Sequence, residues 1–477
     1  MNAQTLLEEI TAFCRASGMA ETTFGRRAVN DGKLMPRLKS GGGVTLDTAE
    51  RVRAFIAAEG REAAPSSDAA DEGSGSPLTA AKRAAAVAQA VTASPTASLD
   101  PEENFRFYDN RQKYLMFVHT CSEKWVVASR VAAELENIAP RPPAVRLFDA
   151  GVGDGSVLTR VMRSMHKRYR RLPFYIVGKE ISLEDVRLTL EKMPDRFQEH
   201  PGMVLVLTNM NYTEAPWLRP KSLEAAASLV WKEVALRGDT AAEFDEQITN
   251  LQDFLSENWR ASVSKKTGNP VYERPAVLVL YREDCEFLLD QVIPRPGAVR
   301  ADYDLVIASQ PYRARASATF KAKRVVAPLA RSLGPGGRLL GIHSCGDDPA
   351  LEIVQKVWPD EDPFNTTRRA LLDATKAALG DDARRFNFIA NSDAKSIFRY
   401  DMHTLPGEVD QASAIGTSTL FAAWNDAAYV AQIEDQRLEE VMARGDQYLE
   451  ATKEVLRTYG GLWFNDESYI ISRKKES

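Results

Sequence analysis

An α/β fold built on a mostly parallel sheet with helices on both faces is predicted by three features of the 477-residue sequence. Short apolar runs recur at Leu147–Phe148, Phe174–Gly178, Met203–Leu207 and Tyr303–Ala308, with stretches of helical length between them. The first run passes directly into a glycine-rich turn and then a helical pattern. The last 28 residues read as a helix, Glu450–Tyr459, followed by a strand, Leu462–Ser472.

Composition bounds the function. Apolar content of 44% and charged content of 27% are those of a globular protein with an ample core, long enough for two or three domains. A formal charge of -5 argues against a whole-protein nucleic-acid or anionic-membrane surface, so any such contact must be local. Met1 leads into a polar, acidic segment and no apolar run reaches bilayer length, so no membrane association and a cytoplasmic location are expected. The four cysteines, Cys14, Cys121, Cys285 and Cys345, lack CxxC pairing and suggest neither a zinc site nor a disulfide framework.

The chemistry centres on Arg146–Val161, RLFDAGVGDGSVLTRV. Strand, tight turn and helix is the order of a nucleotide-type ligand site, and glycines there let the main chain approach a ligand where a Cβ would collide. A dinucleotide fingerprint needs glycine at position 156, which is Ser156, so the pyrophosphate reading is weak. With Asp149 two residues before Gly151, the pattern D-x-G-x-G-x-G resembles motif I of the class I S-adenosyl-L-methionine (SAM) dependent methyltransferases. The resemblance implies a Rossmann-like, seven-stranded sheet over residues 102 to 477, with Leu462–Ser472 as its antiparallel last strand. It also implies that Gly151, Gly153, Asp154 and Gly155 wrap the methionine and ribose part of SAM while Asp149 orients it.

Later positions extend the resemblance. Glu180 follows the second apolar run directly, where a carboxylate accepts hydrogen bonds from both ribose hydroxyls; a surface acid at a strand end is the alternative. Asn209 follows the third run, where the family places an acid or amide reading the adenine amino group, with Asn211 its near rival. That assignment requires the third strand to be Met203–Leu207 and not Val277–Tyr281.

The fourth run ends in Ser309-Gln310-Pro311-Tyr312 and leads by a turn to a fifth, Gly334–Ile342. The loop resembles the family signature of enzymes that methylate amino nitrogens, in which a side-chain oxygen and a main-chain carbonyl hold a planar amine and the tyrosine stacks on it. Gln310 departs from that signature, leaving an ordinary loop beside another acceptor pocket as the alternative. His343, at the end of the fifth run, is a candidate general base or a structural histidine.

The remainder frames this core. Residues 1–60 form a helical module whose segment GMAETTFGRRAVNDGKLMPRLKSGGG is similar to the helix-turn-helix of Cro and lambda-repressor domains. Arg26, Arg27, Lys33, Arg37 and Lys39 cluster there, so DNA contact through residues 20–40 is one expectation and a small docking module the other. Residues 61–101 read as an Ala/Ser/Pro-rich linker, with a helical patch at Leu78–Val91. Asn104–Ile138 reads as helices whose aromatics are core, with Tyr108, Lys113 and Tyr114 the nearest to a ligand. An insertion at about 213–301 is expected to hold helices at Leu223–Arg237 and Ala241–Trp259 and a hairpin of Val277–Tyr281 with Phe287–Ile293; it shapes specificity or a homodimer surface.

The expected function is SAM-dependent methyl transfer to an unidentified acceptor, with an amine favoured and Ser309, Gln310, Tyr312 and His343 at the acceptor. The alternatives are a DNA-binding regulator that uses a non-catalytic SAM-binding domain and a nucleic-acid methyltransferase.

Overall fold

The structure is a computed structural model that describes residues 111–264, 270–403 and 415–475, with parts of the first 56 residues. The chain divides into two units, Met1–Ala97 and Ser98–Ser477.

In the first unit, helices Glu21–Val29 and Leu34–Lys39 supply Phe24, Leu34, Met35 and Leu38 to a small core shared with Ile10, Cys14 and Val52. Phe24 meets Phe55 edge to face at 5.4 Å. Of the basic cluster only the Lys39 side chain is described, and it pairs with Glu21 at 2.7 Å. The side chains of Arg26, Arg27, Lys33 and Arg37, the patch Leu78–Val91 and Tyr108 lie outside the described residues.

The second unit is a Rossmann-like α/β domain around one sheet. Its strands are β1 (Val145–Asp149), β2 (Phe174–Lys179), β3 (Met203–Thr208), β4 (Val230–Leu236), a separate hairpin β5 (Ala261–Val263) and β6 (Pro270–Tyr272), then β7 (Ala276–Arg282), β8 (Tyr303–Ser309), β9 (Leu333–Ser344), β10 (Phe386–Ile389), β11 (Ile397–Asp401) and β12 (Trp463–Arg473). The sheet order is β10-β12-β9-β8-β1-β2-β3-β7-β4, with β11 also on β12. Strands β3, β2, β1, β8 and β9 are mutually parallel, and β12 runs antiparallel to β9 as expected for the last strand.

Both faces of the sheet are covered, so its strands read as continuous apolar runs. Leu147, Ile176, Leu205 and Ile307 face the helices Glu123–Glu134, Ser156–Arg168 and Leu183–Glu191; the alternate residues Phe148, Val177, Val206 and Val306 face Ala327–Arg331 and Arg368–Leu379. A third core joins Arg111–Thr120 to Thr417–Val430 and Gln447–Tyr459 against Tyr400 and Phe464.

Three expectations are corrected. Among the described residues the sheet has ten strands, because the insertion adds β7 antiparallel to β3 and β4 parallel to β7, and β11 joins β12. Leu223–Arg237 is not one helix: Ser222 caps a five-residue helix, Leu223–Ala227, and the alternating, β-branched VWKEVAL that follows becomes the edge strand β4. Phe287–Ile293 forms no hairpin strand. Acids at Glu283, Asp284 and Glu286 favour the first turns of helix, and the short helix Glu286–Leu289 leaves Phe287 fully in solvent.

Candidate active site at the switch point of the sheet

From β1 the chain order runs outward one way through β2 and β3, and β8 and β9 lie on the other side. A crevice opens outside the carboxyl ends of strands wherever the order reverses in this way, and that is where open α/β sheets bind ligands. Two loops meet the crevice: Ala150–Gly155 after β1 and Gln310–Arg315 after β8.

The first loop is shaped by its glycines. Gly153 and Gly155 have φ of +56° and +77°, which disfavour side chains; a Cβ on Gly155 would lie 2.9 Å from Thr189 Oγ1 and 3.0 Å from its Cα. Gly151 has open space where a Cβ would stand. The loop is tied to β2 by Gly153 N–H donating to Glu180 Oε2 at 2.9 Å, while Glu180 Oε1 accepts from Ile181 and Ser182 at 2.8 and 2.9 Å. Thr189 Oγ1 donates to Gly153 O at 2.8 Å. Glu180 is braced from the insertion, since Trp259 Nε1 donates to its carbonyl at 2.8 Å.

Asp149 is buried and accepts from Gly151 N–H at 3.1 Å; burial pushes its carboxyl up to about 7. For Asp154 burial acts upward, but Ser156, Lys124 and Lys192 together hold the carboxyl below its ordinary value. Lys124 lies 3.1 Å from Glu123 Oε2 and 5.4 Å from the Tyr114 ring centroid, and Tyr114 is itself core, against Tyr429. Lys113 pairs with Asp435.

Asn209 ends β3 but does not stand free. Its Nδ2 donates to the carbonyls of Arg274 and Asn258 at 2.8 and 3.3 Å, and its Oδ1 accepts from Ala276 N–H at 2.8 Å. These bonds lock the insertion onto the sheet. The rival Asn211 is engaged by Thr213 and Glu214.

The second loop brings Gln310, Tyr312 and His343 together in one cleft with Ala314, Lys321, Ser344, Phe364 and Thr366. Ser309 remains in β8, in register with Ile342, outside that lining. Gln310 adopts φ +47°, and its side chain reaches across β9 to β12: Nε2 donates to Ser344 Oγ at 3.0 Å and to Asp466 at 3.2 Å, while Oε1 accepts from Ser344 N–H at 3.3 Å. Gln432 Oε1 accepts from Ala314 N–H at 2.9 Å, and Tyr212 donates to Pro311 O at 2.8 Å, so the loop is held from both sides.

Tyr312, His343 and Glu467 form a chain of contacts. His343 Nε2 lies 2.8 Å from Glu467 Oε1, and its Nδ1 lies 2.8 Å from the Tyr312 hydroxyl. Burial alone would raise Glu467, but hydrogen bonds from His343 and Arg368 hold it ionised, below its ordinary value. An ionised acceptor fixes the imidazole N–H at Nε2 and leaves Nδ1 to accept from Tyr312. Burial lowers the His343 pKa despite that carboxylate, so the ring is neutral at pH 7. Arg368 completes the set, with Nη1 2.5 Å from Glu467 Oε2.

Glu467, Asp466, Arg368 and Lys321 were not anticipated from the sequence. The signal was present for two of them: adjacent acids between the apolar ends of one strand, LWFNDESYIIS, are costly to bury and need partners.

No family model matches the chain, and no curated protein does. Among solved structures, a geranyl diphosphate methyltransferase in complex with GPP and sinefungin aligns over 72% of this chain and 78% of its own, at 11% identity and TM-score 0.27. A putative sarcosine dimethylglycine methyltransferase from Galdieria sulphuraria covers 73% and 86% at 10% identity, and the [4+2]-cyclase SpnF covers 84% and 96% at 13% identity, each with TM-score 0.27. Likeness of that size assigns neither cofactor nor reaction.

Proposed function

We propose that the chain is a SAM-dependent methyltransferase whose cofactor lies at the switch point between β1 and β8. One observation carries the reading: a glycine loop after β1 is hydrogen-bonded at 2.9 Å to a carboxylate, Glu180, that ends the neighbouring strand. A backbone open to close approach and a carboxylate with lone pairs to spare suit a ribose. Glu180 Oε2 carries only one described donor, so it has capacity for hydroxyls. Gly151, Gly153 and Gly155 form the wall, with Asp149 and Asp154 behind it, and Asn209 acts by fixing the insertion. SAM supplies an electrophilic methyl group.

On the acceptor side, Gln310 is committed to Ser344 and Asp466, so it is not positioned as an amine clamp. What the cleft offers instead is a proton acceptor. Neutral His343, with its tautomer set by Glu467, takes a proton at Nδ1 from the Tyr312 hydroxyl, which in turn receives one from an acceptor hydroxyl or amine. Methyl transfer is an in-line displacement, so the remaining work of the loop is alignment and exclusion of water.

The test is calorimetric titration with SAM. Binding in the micromolar range by the wild type, lost in Gly153→Arg, whose added side chain starts 3.3 Å from the Tyr114 hydroxyl, supports the reading. No heat at millimolar SAM overturns it.

A further inference from the structure

The acceptor cleft contains a buried cation with no anion. Lys321 is 2% exposed, lines the cleft, and makes one hydrogen bond, from Nζ to Ala314 O at 2.7 Å, with its charge 5.2 Å from the Tyr312 ring centroid. Among the described residues no carboxylate lies within 4 Å of it; Glu467, the acid bonded to His343 of the same cleft, is taken by His343 and Arg368. Lysine is almost never fully buried unless paired. An ammonium has three donors, and two here lack a described protein acceptor.

The backbone around Lys321 is also specialised. The helix Ala318–Lys321, capped by Ser317, passes into a π-helical turn, Ala322–Val326, before Ala327–Arg331 resumes. Pro328 cannot donate to the carbonyl four residues back, and the turn before it widens. Such single turns recur at functional sites because they aim one side chain off the regular helical path.

We infer that Lys321 is the anion-binding element of the cleft, and that the acceptor enters it by a carboxylate group held by the Lys321 ammonium. A single buried cation balances a monoanion and leaves a phosphate dianion half compensated. The two Lys321 donors without a described acceptor are the groups available to its oxygens, since Ser344 Oγ and Thr366 Oγ1 already donate to Asp466 and Asn365. The inference deepens the methyltransferase reading by naming the acceptor class, and the carboxylate itself is either the methylated oxygen or the handle that places a neighbouring atom.

The experiment titrates the full chain calorimetrically with propionate, propionamide and inorganic phosphate, with SAM titrated separately. Lys321→Met and Lys321→Arg are run beside the wild type, with thermal melting to confirm folding. The expected result is millimolar binding of propionate that weakens at least ~10-fold in Lys321→Met and is retained within about threefold in Lys321→Arg, with no binding of propionamide. Equal affinity for propionate and propionamide, tighter binding of phosphate, no propionate binding at all, or propionate binding unchanged in Lys321→Met overturns it. If Lys321→Met fails to fold, loss of propionate binding in the wild type on replacing it with propionamide, against retention in Lys321→Arg, decides the same point. SAM binding without propionate binding sinks only this inference. Propionate binding at Lys321 without SAM binding leaves it standing and sinks the methyltransferase reading.

Discussion

The two loops at the switch point are built in different ways. After β1, the groups that shape the site are neighbours in the chain: Gly153 and Glu180 are 27 positions apart, and Asp149 bonds to Gly151 two residues on. After β8, each group is fixed by a partner far away: Gln310 and Asp466 are 156 positions apart, and His343 and Glu467 are 124. Local construction makes the cofactor side a matter of backbone shape. Construction through β12 makes the acceptor side a buried network of charges, whose members depend on one another.

The difference is sharpest in stability. Glu467→Ala should cost ~3–5 kcal/mol, because it leaves the buried Arg368 with only the exposed Asp393 as its anion and takes away the acceptor of His343 Nε2–H. Glu180→Ala, on a half-buried residue whose three described side-chain bonds are to loop backbone, should cost roughly 1 kcal/mol. Urea unfolding of both variants checks the contrast. Equal losses would erase it.

Function should divide the same way. His343→Ala is expected to lower kcat by ~10²–10⁴-fold at unchanged SAM affinity, and the wild-type rate should fall at low pH as His343 is protonated, at a pH below its ordinary pKa. Single-turnover rates across pH, once an acceptor is in hand, measure both effects. A parallel loss of SAM binding would place His343 in the cofactor half.

Asp466 gives the network a pH signature. Burial, with Glu123 next, pushes its folded pKa to about 8 from an ordinary 3.8. The folded state therefore holds a proton that the unfolded state releases, so stability is greatest below about pH 4 for this group and falls as pH rises towards 8. The slope from this one group is at most ~1.4 kcal/mol per pH unit. Melting temperatures should rise from pH 8 to pH 6, and Asp466→Asn should flatten that rise. The smallest effect belongs to the amino-terminal unit, where Lys39→Ala breaks an exposed pair and should change stability by less than ~0.5 kcal/mol.

What was legible in the sequence follows the same division. The glycine loop and Glu180 were readable because strand, turn and helix are contiguous and a positive φ favours glycine. The antiparallel β12 was readable as a strand, yet its two acids were not read as partners of Gln310 and His343, since nothing local says which distant group a buried charge meets. Within the insertion, VWKEVAL carries both a helix-compatible and a strand-compatible pattern, and pairing with β7 decided it. Phe287 and Leu288 looked like a strand because apolar residues were assumed buried, and they are exposed. Asn209 directly follows β3, and its amide serves the insertion.

The central claim is that the β1 side binds SAM independently of the network on the β8 side. Calorimetric titration of SAM into wild type, Glu180→Ala and Tyr312→Phe tests it most directly. The account predicts micromolar binding by the wild type, a loss of at least ~30-fold in Glu180→Ala, and wild-type affinity in Tyr312→Phe. Absence of binding by the wild type, or equal affinity in Glu180→Ala, would contradict it.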